Sequence, residues 1–334
     1  MNISQGFEGF FNDKIIAVTG GAGSIGSEVV RSLAANTKAE IWILDNDESR
    51  LHSTFLELNG GTDKRINFRL IDIRDLNSST RLLGEINPDV LIHAAALKHV
   101  PILERQPREA FLTNVIGTRN IIRFVAGNSK TTLCFVSSDK AANPVNILGK
   151  TKLIGEYLVA GLAKSDLKNC ISRSHSIVRF GNVFLSRGSV VETFIHQLRN
   201  GLDITITDFK MKRFFMDIKE AADLILYSLK EKSGEISILR MGDQVPIVDV
   251  AKRIAELMAI ADFRMIEIGA HSSEKLSEEL FSNEEYLNSS ADDLTSSAQF
   301  SHFLDIVAVE EFAPQTDEDS VEEISRLLSN RVKF

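Results

Sequence analysis

Thr19-Gly20-Gly21-Ala22-Gly23-Ser24-Ile25-Gly26 follows the apolar run Ile15-Ile16-Ala17-Val18 and opens a segment of helical period over residues 25–35. Gly20, Gly23 and Gly26 give the spacing GxxGxxG. Glycine permits a tight turn and lets backbone amides approach a pyrophosphate. The helix that follows, beginning at Ser24 and Ile25, offers its first N–H groups to the charge. Taken alone, such a triplet is only a glycine-rich turn, and a turn without a ligand is the alternative reading. Its context gives it weight: a strand before it, a helix after it, and Asp45 closing the next apolar run, Ile41-Trp42-Ile43-Leu44. A carboxylate there suits both hydroxyls of an adenosine ribose and repels a 2′-phosphate, so NAD is favoured over NADP. Arg50, about one helical turn further on, keeps NADP open.

The same rhythm continues outward. Apolar runs at 66–71, 90–92, 133–136 and 177–178 alternate with segments of helical period at 48–58, 76–86, 108–126 and 146–163. The runs are apolar on both faces, as strands of a covered parallel sheet are, and the alternation predicts a doubly wound α/β fold. Asp72 and Ile73 follow the third run, where a carboxylate can meet an adenine amino group; a plain turn is the competing reading. Ala94 and Ala95 follow the fourth, small side chains where the backbone passes close to a cofactor. After Asn182 the rhythm breaks into shorter elements, with helical segments at 191–199, 218–229 and 248–260. The expected organisation is an N-terminal arm (1–12, with Phe7, Phe10 and Phe11 free to dock on the body or a second subunit) and a dinucleotide-binding domain (13–182, with 217–240 returning to it). A smaller substrate domain (183–216 and 241–290) and a C-terminal extension (291–334) complete it. Residues 288–300 are polar and read as a loop; 321–328 have helical spacing and are expected to dock within the chain.

The chain has 334 residues, 43% hydrophobic and 25% charged, with a formal net charge of −8. That is a globular composition with enough length for a sizeable core. Its acidic field disfavours nucleic acid and anionic membranes, so any phosphate must be held locally. The N-terminal residues show no signal-peptide pattern and no stretch is apolar enough to span a bilayer, which leaves the cytoplasm as the default. The two cysteines, Cys134 and Cys170, and the seven histidines lack metal-ligand spacing, and no metal is expected.

Phe135-Val136-Ser137-Ser138-Asp139-Lys140-Ala141-Ala142-Asn143-Pro144 starts as a strand and ends with a hydroxyl, a carboxylate and an amine side by side. A helix cap after a strand is the ordinary explanation of such a triplet. Its position at a strand's carboxyl end in a dinucleotide fold makes it the candidate reaction centre.

Thr19 to Gly26, His93-Ala94-Ala95, Asn114 and Lys152 resemble the extended short-chain dehydrogenase/reductase superfamily. Ala96-Leu97-Lys98-His99-Val100-Pro101, the Ser137 to Pro144 block, Arg179-Phe180-Gly181-Asn182-Val183, Ser186-Arg187-Gly188-Ser189-Val190 and Arg213-Phe214-Phe215-Met216 resemble the nucleotide-sugar 4,6-dehydratases of polysaccharide biosynthesis. The resemblance runs from about residue 14 to about residue 280. It implies bound NAD, with Asn114 and Lys152 at the cofactor, and UDP-N-acetylglucosamine or a close relative as substrate. It also implies a homo-oligomer built through helices 108–126 and 146–163. The implied reaction oxidises sugar C4, eliminates water across C5 and C6, and returns the hydride to C6. Ser138 is then expected to hydrogen-bond the C4 oxygen, Asp139 to protonate the C6 hydroxyl, and Lys140, its pKa lowered by burial near the nicotinamide, to act as base at C5. Lys98 is expected to reach sugar or cofactor. Asn182, Arg187, Ser189, Val190 and Arg213 are expected around the nucleotide diphosphate.

Two departures stand out. The Tyr of the superfamily's Tyr-x-x-x-Lys pair is replaced by Leu148, so proton work moves to Ser138-Asp139-Lys140. The Arg-Pro-Gly-Glu-Lys segment of the relatives appears as His271-Ser272-Ser273-Glu274-Lys275, keeping Glu274 and Lys275 and placing His271 at the nucleotide position. Glu278, Glu279, Glu284 and Glu285 read as a solvated helix face. The rival functions are a nucleotide-sugar 4-epimerase, which Leu148 disfavours, and a non-catalytic dinucleotide-binding regulator, which the Ser-Asp-Lys triplet disfavours.

Overall fold

The computed structural model describes residues 8–230, 234–239, 241–271, 273–288, 295–309 and 314–333. Nine strands form the central sheet. They are β1 (Ile15–Thr19), β2 (Glu40–Asp45), β3 (Ile66–Leu70), β4 (Val90–His93), β5 (Thr132–Val136), β6 (Ser176–Arg179), β7 (Ile236–Leu239), β8 (Glu285–Asn288) and β9 (Thr295–Phe300). Their order is β3-β2-β1-β4-β5-β6-β7-β9-β8. The strands from β3 to β7 run parallel, and β9 and β8 add antiparallel pairs at one edge. The order reverses between β1 and β4, and a doubly wound sheet opens its ligand crevice at that switch point. β4 and β6 are buried along their whole length, which explains their unbroken apolar reading.

Helices cover both faces. Ser24–Asn36 and Ile218–Ser228 pack with the apolar residues of one face; Leu76–Ile86, Thr118–Gly127 and Ile147–Lys168 pack with those of the other. Asp47, Asp75, Asn146 and Asp217 cap helices by accepting a backbone N–H in the first turn, so these side chains fix where each helix begins. A separate small core joins Val191, Phe194 and Leu198 to Val250, Ala251 and Ile254, with Ile204 and Ile206 between them. These residues all lie after Asn182, where the rhythm of the sequence breaks.

Several expectations change. Phe11 is fully buried with Ile16 and Val18, so residues 8–12 belong to the body; Phe7 lies outside the described residues. Within the stretch read as a loop, Thr295–Phe300 is a sheet strand, with Thr295, Ala298 and Phe300 buried. Pairing to β7 supplies its hydrogen bonds, which serine-rich composition does not advertise. The rest of that stretch, 289–294, lies outside the described residues. Glu285–Asn288 joins the same sheet, so the dinucleotide-binding body takes in residues assigned to the substrate domain. The helix expected at 108–126 is helical throughout but passes through a π-type segment, Phe111–Gly117, a form that often marks functional positions.

Parts of the helices 108–126 and 146–163 are covered within the chain. Ile324 and Leu327, in the helix Asp317–Ser329, are fully buried in the same core as Leu158, Val159 and Leu162. Arg108 donates to Asp317 and to the Pro314 carbonyl, Arg119 donates to the Val309 carbonyl, and Leu304 donates to the Tyr157 carbonyl. This confirms docking of 321–328 on the body. Leu327→Ala should lower unfolding free energy by about 2–5 kcal/mol in denaturant titration, the cost of a buried leucine cavity. An unchanged midpoint would remove the C-terminal helix from the core.

Candidate active site

The crevice at the switch point is walled by the ends of β1, β2, β3 and β4. Its cavity of about 260 Å³ is lined by Gly20, Gly23, Asp45, Arg50, Asp72, Ile73 and Ala94 to Leu97, among others. Gly20 has φ +66°, and a Cβ there would fall 2.6 Å from the Ala95 nitrogen. A Cβ on Gly26 would fall 2.2 Å from the Gly20 carbonyl oxygen. These two contacts explain the glycine spacing physically: the loop, the helix start and the β4 loop pack backbone to backbone. Asp45 accepts from the Ala22 and Asp47 amides, which turns its carboxylate toward the glycine loop. Asp72 is gripped by Arg74, and the Arg74 guanidinium and hydrogen bonds hold its carboxyl below the usual range against burial.

Asn114 is buried and its amide is fully engaged: it accepts from the Leu97 amide and donates to the Leu97 carbonyl and to Thr151. Its place is therefore behind the β4 loop, shaping the crevice wall. His93 is buried beside it. Thr118 donates to the Asn114 carbonyl, so it must accept from His93 Nε2–H, which leaves Nδ1 to accept from Thr19. Burial, with Lys152 nearby, drives the His93 pKa down to about 3. Lys152 donates to the Val136 carbonyl at 2.6 Å and lies 4.2 Å from the Phe135 ring centre. Burial lowers its pKa to about 8, against the pull of Glu156.

The Ser138-Asp139-Lys140 triplet sits at the carboxyl end of β5 and is partly the helix cap it resembles: Ser138 accepts from the Lys140 amide. Ser138 also donates to Asp139 Oδ1 at 2.9 Å, and Lys140 Nζ donates to the same oxygen at 3.1 Å and to Asn182 at 3.4 Å. A Cβ on Gly149 would lie 2.1 Å from the Lys140 carbonyl oxygen, so glycine lets the helix carrying Lys152 come this close. Leu148, at the tyrosine position, is buried apolar packing.

Two corrections arise at Lys140. Burial opposes its charge, but Asp139 and Glu278 outweigh that cost and raise its pKa, with Arg213 opposing them, the opposite direction to the lowering expected from burial. Glu278, read as part of a solvated helix face, is 5% exposed. Its Oε1 lies 3.8 Å from Lys140 Nζ and 3.7 Å from Arg213 Nε. Burial raises its pKa, Asp139 adds to that, and Lys140, Arg213 and Lys275 oppose it. Glu285 is buried as well, paired with Arg179, whereas Glu279 and Glu284 are exposed partners of Lys275 and Arg331. No helix runs through these four residues. The sequence signal that could have separated Glu278 was its nearness to Lys275, which donates to the Ala142 carbonyl and zips this segment onto the Ser-Asp-Lys block.

The remaining expected residues divide. Arg187 donates its amide to Ser24 Oγ, bringing its loop onto the glycine turn. Lys98 is exposed by surface area, yet protein packed around its amine, with Arg50 and Arg187 nearby, lowers its pKa while Glu192 opposes; these three cations share one neighbourhood. Ser189 caps the helix Val190–Arg199 by accepting from Glu192, and Val190 packs against the small core. His271 is exposed, and its amide donates to Glu274; neither is brought to Lys140 or Asp139 in the hydrogen bonds of the site. Ile25, in the first turn of the helix Ser24–Asn36, packs against the core of that face.

His93 stays neutral in the folded protein to about pH 3 but titrates near 6.5 when unfolded. The unfolded chain thus binds more protons between those values, and stability falls as pH falls through that window by up to about 1.4 kcal/mol per unit. His93→Gln should remove this component. The stability gap between wild type and variant should narrow from about pH 7 to about pH 4 in denaturant titrations; a constant gap would place the titration elsewhere.

The sequence profile of the family described as polysaccharide biosynthesis protein matches residues 16–299. The chain is 39% identical over 278 residues to the probable polysaccharide biosynthesis protein EpsC of Bacillus subtilis, covering 81% of this chain and 46% of that protein. It therefore spans about half the length of that relative. It is 34% identical over 289 residues to a UDP-glucose 4-epimerase of Rickettsia prowazekii, covering 85% of this chain and 82% of that one. Among solved structures, Pen from Bacillus thuringiensis superposes with a TM-score of 0.79 at 30% identity, covering 87% of this chain and 90% of that chain. The same fold recurs in the UDP-glucose 4-epimerase of Thermus thermophilus, at TM-score 0.66 and 21% identity, covering 79% and 89% of the two chains. By its sequence from strand β1 to strand β9, and by its sheet, the chain belongs to the polysaccharide biosynthesis protein family.

Proposed function

We propose that this protein is an NAD-dependent nucleotide-sugar 4,6-dehydratase acting on UDP-N-acetylglucosamine. The observation that carries the reading is the pairing of Asp139 with Lys140 beneath a dinucleotide crevice whose tyrosine position is Leu148. A site that only oxidises and reduces C4 needs one proton acceptor. This one gathers a carboxylate, an ammonium and a second carboxylate, the equipment for moving protons at neighbouring carbons.

The crevice residues fit NAD: the close-packed glycine loop leaves backbone amides at the helix start, and Asp45 stands where ribose hydroxyls are met. Bound in this crevice, NAD would supply reversible hydride acceptance. Lys152, held at the Val136 carbonyl, positions the nicotinamide ribose. Ser138 hydrogen-bonds the C4 oxygen. Asp139 takes the C4 hydroxyl proton and delivers it to the departing C6 hydroxyl, which leaves as water. Lys140, as an ammonium, stabilises negative charge on the C4 oxygen while the C5 proton is away. Arg213 and Arg187 face the diphosphate.

A 4-epimerase remains the second reading, favoured by the named epimerases among the sequence relatives. Product mass separates them. Incubation with UDP-N-acetylglucosamine should give a product lighter by one water; an unchanged mass with altered C4 configuration would establish the epimerase instead, and NAD binding without turnover would leave a non-catalytic protein. Asp45→Ala should weaken NAD binding by roughly 10- to 100-fold, as loss of charged hydrogen bonds does, in a calorimetric titration; unchanged affinity would refute the assigned ribose contact.

A further inference from the structure

The crevice does not end at Asp45. If Asp45 meets the ribose, the adenine lies further toward β3. There the cavity is lined by Asp72, Ile73 and Arg74 of the loop after that strand, and by Glu109 and Thr113 of a second wall. One guanidinium joins the two walls. Arg74 Nε donates to both oxygens of Asp72, at 3.0 and 2.9 Å, and Nη2 donates to Oδ2 at 2.6 Å. Nη1 donates to Glu109 Oε2 at 3.0 Å. Both anchors are themselves held. Buried Asn120 donates to the Ile73 and Arg74 carbonyls, which fixes the backbone that carries Arg74. Glu109 accepts from Arg108 through its other oxygen at 3.4 Å, and Arg108 donates onward to the Pro314 carbonyl and Asp317. The side chains of Asp72, Arg74 and Glu109 are 36, 38 and 40% exposed. Ion pairs that open to solvent add little to stability, so holding the fold does not account for this bridge.

We propose that Arg74 and Glu109 close the adenine end of the crevice and set how long a bound dinucleotide stays there. This rests on the dinucleotide reading of the crevice given above. Arginine suits the position because its planar fork grips two carboxylates at once, which the point charge of a lysine does not. Opening the bridge at Glu109 frees the β3 loop from the second wall and gives the adenine a way out. Retention has a chemical purpose in a reaction that oxidises C4 and reduces C6 of one sugar. Such a reaction consumes no cofactor, and losing the reduced form between the two steps would strand the oxidised sugar.

Release is measured without sugar: protein loaded with radiolabelled NAD is chased with unlabelled NAD, at low and at high salt. Glu109→Gln leaves Arg74 on Asp72 and should release the cofactor about 3- to 10-fold faster at low salt, the range between an exposed ion pair and a charged hydrogen bond. Arg74→Ala should be faster still, and Arg74→Lys should fall between it and wild type. Salt screens exposed charges, so wild-type release should quicken with salt while the Glu109→Gln rate barely responds. Thermal midpoints of the cofactor-free variants should stay near wild type. Should Arg74→Ala not fold, Arg74→Lys carries the same comparison. A wild-type release rate in Glu109→Gln, or an equal salt response in the two proteins, overturns the bridge and leaves the dinucleotide reading intact. A wild type that binds no NAD in calorimetry overturns both together.

Discussion

A single guanidinium ties the reaction centre to the rest of the molecule. Arg179, at the end of β6, is fully buried. It donates two hydrogen bonds to Glu156, in the helix that carries Lys152, and two to Glu285, and a further one to the Leu280 carbonyl. Removing one partner from such a buried group costs about 3–5 kcal/mol, because the charges left behind have no water. The three elements it joins are therefore obliged to stay in register. Through Leu280 and Glu285 that register reaches the chain bearing Glu278; through Glu156 it reaches the amine beneath the Val136 carbonyl.

Charge at the site follows from this scaffold. Asp139 and Lys140, Arg213, and Glu278 come from three separate stretches of chain and meet in a largely dry space. In such a space a lysine between two carboxylates stays charged, while Lys152, supported chiefly by a carbonyl and a ring face, loses basicity. Two lysines on neighbouring elements, Lys152 buried and Lys140 half-buried, are thereby driven in opposite directions.

The dinucleotide floor was legible because its causes are local. A tight turn needs glycine where a Cβ would meet backbone, as at Gly20 and Gly26, and a parallel strand needs apolar residues on both faces, as in β4. Ser138-Asp139-Lys140 was legible for the same reason: it is contiguous. Thr295–Phe300 was not, since its strand conformation depends on β7 as a partner. Asn114 was read as a cofactor residue, but the sequence hides that its amide is consumed by the Leu97 backbone.

The sequence by itself determined the doubly wound fold, the glycine turn, Asp45 at the end of β2 and the Ser138-Asp139-Lys140 triplet after β5, because each depends on residues within a few positions of one another. Tertiary structure alone decided that Glu278 stands beside Lys140 and Arg213 and that the C-terminal helix packs on the helix Ile147–Lys168. Those outcomes depend on burial and on charges brought from more than a hundred residues away in the chain, as Glu278 is from Lys140. Neither composition nor spacing encodes the local dielectric that turns one acidic residue of a run into part of a reaction centre and leaves its neighbour in solvent.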